Sequence, residues 1–145
     1  KITLFFCAGA IYVHTHKTNI SQLNGLGRKM PFTFGAFFVA ALCIIGLPPL
    51  GGAWSKWFLI TASFDTQHWI MAGALILSSL LNIAYLLPIV ANGFFKPSAD
   101  GDDSFHIDEA PLLMLIPLCI TASFCLLAFI FGDAIYGFVQ LIPLR

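Results

Sequence analysis

The sequence predicts an all-α, polytopic transmembrane helix bundle in which one helix is discontinuous, and three observations carry that prediction. Of 145 residues, 59% are hydrophobic and 10% charged, against about 25% charged in an ordinary soluble domain. Mean hydropathy is +0.89. Two uncharged runs, 70–95 and 110–132, reach the ~20 residues that cross a bilayer core. A third apolar stretch is interrupted by GLPPLGGAWSKWF, residues 46–58, which sets two prolines, three glycines and a lysine inside it. Lipid solvates the apolar surface that so few polar side chains cannot cover.

Taken in order, residues 1–13 read as the end of a truncated helix. Positions 2–13 carry no charge but are too few to span alone. A chain opening on Lys1, directly in an apolar run, predicts the tail of a longer protein. Residues 14–30 form a polar connector with NGLG as its turn signal and Lys17, Arg28 and Lys29 as its charges. Residues 31–64 form the broken helix. Its halves, 31–46 and 53–64, measure about 24 Å and 18 Å, and neither crosses a core of about 30 Å. Joined through the break, they make one crossing.

DTQHW, 65–69, is a short polar turn, and 70–95 is a span closed by the aromatic and lysine end FFKP. Residues 97–109 form a solvated acidic loop. The last span, 110–132, has Pro111 in its first turn and Pro117 as a kink. An interfacial tail, 133–145, completes a single transmembrane domain over 1–145. One broken crossing puts the first and third connectors on the same side, the cytoplasmic one by lysine and arginine content.

Several function classes are excluded or left without support. No basic run is long enough to compete for nucleic-acid phosphates. Cys7, Cys43, Cys119 and Cys125 lie in apolar runs with no CxxC pair, so they read as small hydrophobes. No secretory signal peptide is visible. There is no P-loop, no G-x-G-x-x-G and no Ser/His/Asp frame. His14 and His16 lack partners at metal-ligand spacing and read as solvated loop residues. No metal or organic cofactor is expected.

The break carries the chemistry. Pro48 and Pro49 remove two backbone donors and push preceding residues out of helical geometry, while Gly51 and Gly52 permit close approach. A mid-membrane break is tolerated only where protein or a wet cavity satisfies its backbone. Lys56 follows in the first turn or so of the second half-helix, where desolvation and the positive end of the helix dipole both disfavour its charge. An intramembrane ionisable residue is a functional candidate. The plainer alternative is a lysine that snorkels to the interface between Trp54 and Trp57. Weaker pathway candidates are Ser78 and Asn82, four apart on one face and equally suited to helix packing, and His68 in the turn beside Asp65.

Four segments carry a family likeness in order: KITLFFCAGAI, LNGLGRKMP, IIGLPPLGGAWSKW and SSLLNIAYLLPI. Together, over residues 1–95, they resemble the C-terminal part of the antiporter-like membrane proteins. That family includes the D-type component of Mrp-type sodium/proton antiporters, subunits L, M and N of respiratory complex I, and membrane subunits of energy-converting hydrogenases. LPPLGGAWSKW looks closer to the Mrp and hydrogenase types than to subunit L. The resemblance implies a fragment of a larger antiporter-like fold, built from two inverted five-helix repeats that each hold a broken helix.

It also implies a chain of buried lysine, histidine and glutamate residues conducting protons at mid-depth. Lys56 matches the lysine of the second broken helix, and Lys1 the central lysine of the preceding helix. The histidines expected before Lys1 and the whole first repeat are missing from these residues, so they hold half of a relay. The implied partners are sister membrane subunits, protons with sodium as a second candidate ion, and lipid. The implied location is the bacterial inner membrane. The leading reading is a proton-translocating subunit; the alternative is a membrane anchor for a respiratory or hydrogenase complex. A quinone-site subunit has no polar pocket motif behind it.

Overall fold

A computed structural model of the protein describes residues 1–97 and 107–141. Among these residues seven α-helices follow one another: α1 (Ile2–Thr15), α2 (Leu26–Lys29), α3 (Pro31–Ile45), α4 (Gly51–Asp65), α5 (Trp69–Phe95), α6 (Leu112–Ile130) and α7 (Gly132–Gln140). A 3-10 turn, Ile20–Leu23, lies between α1 and α2. No strand occurs among the described residues. Positions 98–106 of the expected acidic loop, and 142–145 of the expected tail, lie outside them.

Local sequence explains most of the ends. The left-handed His16 closes α1, its N–H donating to Tyr12 O at 2.8 Å. Thr15 Oγ1 turns back to Ile11 O at 2.7 Å, so α1 runs into the stretch expected to be connector. Pro31 supplies the first residue of α3, where its missing N–H costs nothing. Pro111 stands just outside α6 rather than in its first turn. From there its carbonyl accepts from Met114 N–H at 2.8 Å and Leu115 N–H at 3.2 Å.

Two residues expected to be solvated, Glu109 and His14, are instead engaged by neighbouring elements. Glu109 accepts from Phe32 N–H at 2.7 Å and Thr33 Oγ1 at 2.9 Å, placing a carboxylate on the positive N-terminal end of α3. His14 belongs to the last turn of α1 and pairs with Asp108 at 3.2 Å. Asp108 N–H in turn donates to Lys29 O at 2.9 Å. The chain entering α6 is thereby tied to both α1 and α3. On the same connector, Arg28 Nε donates to Phe94 O at 2.9 Å, a cation at the negative C-terminal end of α5.

α3 is the central element, packed against α1, α4, α5 and α6. Its buried Phe34 and Ala36 meet Cys7, Ala10 and Ile11 of α1, Leu26 of α2, and Leu118 and Ala122 of α6. Elsewhere large apolar side chains face outward. Ile70 and Leu113 are 89% and 87% exposed, a surface that water would penalise and lipid does not. α5 and α6, at 27 and 19 residues, are long and apolar enough to cross a bilayer. At 15 residues each, α3 and α4 are about 22 Å long and fall short of crossing singly.

Candidate functional site at the helix break

α3 stops because Gly46 adopts a left-handed conformation, φ 86°, that glycine enters without steric cost. Its N–H and that of Leu47 both return to Leu42 O, at 2.9 and 3.2 Å. Those bonds satisfy one end carbonyl and leave others, Ile45 O among them, open to a different partner. Leu47 to Leu50 then turn, with Leu50 N–H on Leu47 O at 3.2 Å, and α4 begins at Gly51. Pro48 and Pro49 are exposed on this turn. Gly51 faces Ala128 of α6, where an added Cβ would stand 2.8 Å from the alanine methyl. Gly52 lies directly against the Cys43 carbonyl, leaving no space for a β-carbon.

Lys56 closes the break. Its stem lies across Gly46, so that a β-carbon there would meet Lys56 Cδ at 2.6 Å. Its Nζ donates to Ile45 O at 2.8 Å and to Ser79 Oγ of α5 at 2.6 Å. Of the two effects expected on its charge, the dipole one is corrected. The residue sits early in α4, but its ammonium reaches back to the C-terminal end of α3, where the helix dipole favours a cation. The half-buried lysine turns inward between α3 and α5.

A groove of about 580 Å³ opens beside Nζ, walled by Trp54, Trp57, Ile76, Leu80 and Phe129 among others. Among the described residues no second titratable side chain lines it. Trp54 packs α4 onto α6, 6.2 Å from Phe129, and its buried Nε1 has no hydrogen-bond partner among the described residues.

A second cavity, about 550 Å³, lies on the other side of the α3–α5 contact and brings together Lys1, Phe37, Ser78, Asn82 and Tyr85. The Tyr85 hydroxyl donates to Asn82 Oδ1. Three of the residues singled out in the sequence thus share one cavity, and Lys56 occupies another. His68 lines neither. It is exposed in the turn before α5, its carbonyl accepting from Met71 N–H at 3.0 Å.

The sequence shows Ser79 beside Ser78 in the same span but assigns it no role. The available signal was its register, since Ile76, Ser79, Leu80 and Ile83 occupy one helical face, and all four line the Lys56 groove. Only the packing of α4 on α5 identifies which face that is.

Fold and site together define a class: a polytopic helical membrane protein whose broken helix carries a lysine at the break. Residues 1–82 match the family described as NADH:quinone oxidoreductase/Mrp antiporter, TM, and the chain belongs to that family.

Relatives include an NADH-quinone oxidoreductase subunit N from Desulforudis audaxviator, 35% identical over 81% of this chain and 25% of the relative. The D-type component of a Na(+)/H(+) antiporter from Alkalihalophilus pseudofirmus is 29% identical over 81% of this chain and 24% of its own length. An F(420)H(2) dehydrogenase subunit L from Methanosarcina mazei is 31% identical over 87% and 20%. The chain therefore spans a quarter or less of these relatives. It is an integral membrane protein of the antiporter-like type.

Proposed function

We propose that the chain is the part of a proton-translocating subunit that carries the lysine of a broken helix, within a cation/proton antiporter or a complex I-like assembly. The observation supporting this reading most strongly is the Lys56 ammonium, held at the break by Ile45 O and Ser79 Oγ beside an open groove. An ammonium has three N–H donors. Two are engaged and the third is available to a proton acceptor entering the groove.

Lys56 passes a proton by becoming neutral and recovers one from the opposite direction, and water threads between the sites. Lys1, with Ser78 and Asn82 in the second cavity, is the neighbouring station. His68 has a weaker claim, as an exit at the turn. Pro48, Pro49, Gly51 and Gly52 create the break that opens the carbonyls of α3. The two half-helices 31–64 make one crossing, and α7 rests at the interface. Sister membrane subunits supply the rest of the path. Sodium is a second candidate ion, and the bacterial inner membrane is the location.

The test is Lys56→Ala in the complete subunit within its assembly, reconstituted in vesicles with a pH-sensitive dye. Proton movement should fall at least tenfold while the assembly persists. Unchanged movement would favour a membrane anchor without conduction.

A further inference from the structure

Ser79 is the one side-chain partner of Lys56 among the described residues, and its chemistry differs from that of the other partner. Ile45 O can only accept, so it serves an ammonium and has nothing to offer the lone pair of a neutral amine. A hydroxyl does both. Ser79 Oγ now accepts from Nζ at 2.6 Å and donates its own hydrogen to Leu75 O at 3.1 Å. Leu75 O is four residues back on the same helix, where it also receives the ordinary helical N–H. It remains satisfied when the hydroxyl turns away.

We propose that Ser79 is a positioning residue that keeps Lys56 Nζ hydrogen-bonded in both of its protonation states. This rests on the relay reading above. In the charged state the ammonium donates to Ser79. When Lys56 releases its proton, one N–H bond of Nζ breaks, the electron pair stays on nitrogen, and the proton joins the oxygen of a water in the groove. The NH2 group then turns about Cε–Nζ so that its lone pair faces Ser79, whose hydroxyl rotates from Leu75 O to donate to it. One remaining N–H stays on Ile45 O and the other points to the groove. The amine stays aimed at the groove, and reprotonation runs the same steps backward.

No other described side chain of the groove can substitute. Ile76, Leu80 and Ile83 are apolar, Phe129 has no polar atom, and the indoles of Trp54 and Trp57 only donate. Since no second titratable group lines the groove among the described residues, the Ser79 hydroxyl is the one side chain there that can follow the charge change.

The experiment uses the complete subunit in its assembly, with proton transport measured in vesicles for Ser79→Thr, Ser79→Val and Ser79→Ala. Threonine and valine have the same shape and differ by the hydroxyl. Thr should retain transport, whereas Val and Ala should slow it about tenfold or more, the loss expected from one charge-assisted hydrogen bond. Equal rates for Thr and Val would overturn the proposal. If Val does not assemble, the smaller Ala decides in the same way, and full activity in Ala overturns it. Lys56→Arg, run in parallel, separates the two layers. Full transport with arginine would remove the relay reading itself. A dead arginine variant beside an unaffected Ser79→Ala would remove only the role of Ser79.

Discussion

The two faces of the α3–α5 contact are built from neighbouring residues and differ in kind. On one face Ile45 and Ser79 hold the Lys56 ammonium. On the other, Ile44 and Ser78 line the cavity of Lys1, where Asn82 is engaged by Tyr85. A helix turns about 100° per residue, so a step of one position on each helix carries the chain from one lysine to the other. The first face is a fixed hydrogen-bonded site at a helix end; the second is a mostly apolar cavity in which Lys1, Ser78 and Asn82 are the polar side chains beside Tyr85. Fixing the Lys56 charge takes a free backbone acceptor at this depth, and the helix break supplies one in Ile45 O.

Breaking the first face should have the largest effect. Gly52→Val drives a side chain into the Cys43 carbonyl and should destabilise the fold by about 3 kcal/mol, seen as loss of folded protein from membranes. Gly73→Ala on α5 is the control. Nothing lies within 4 Å of its β-carbon, and alanine should stabilise the helix by about 0.5–1 kcal/mol. Equal behaviour of the two variants would contradict the close crossing of the half-helices.

Glu109→Gln comes next. It keeps the shape of the cap on α3 but removes the charge facing the helix dipole, and should cost about 1 kcal/mol in thermal stability. Transport per folded molecule should be unchanged, because the capped end is remote from the break. The smallest change should come from the second face. Ser78→Ala should alter proton transport about twofold at most, well under the loss for Ser79→Ala, since Ser78 bonds no lysine among the described residues. The reverse order would mean that the open cavity, and not the bonded site, controls transport.

How far the sequence led depends on how local each signal was. The all-α membrane architecture and the broken helix were readable, because Pro48, Pro49 and Gly46 act on their own backbone and 70–95 is apolar throughout. The partners of Lys56 were not. Ile45 O is opened by the turn and Ser79 arrives from a different helix, so both depend on tertiary packing. Glu109 illustrates the same limit: it lies in an acid-rich segment that reads as solvated, yet it caps α3, 77 positions back from Glu109 at Phe32. His14 read as a loop residue because the apolar run ends at Val13, whereas backbone and Thr15 hydrogen bonds extend α1 past it.

The central claim is that Lys56 works by losing and regaining its proton, and Lys56→Arg tests it most directly. Arginine keeps the positive charge and can still donate to Ile45 O and Ser79, but it does not deprotonate in a protein. The measurement is proton uptake into vesicles holding the complete subunit in its assembly, normalised to assembled protein. The account predicts uptake near that of Lys56→Ala with assembly intact. Uptake equal to the unmodified protein would contradict it, leaving Lys56 as a fixed charge that ties α4 to α3 and α5.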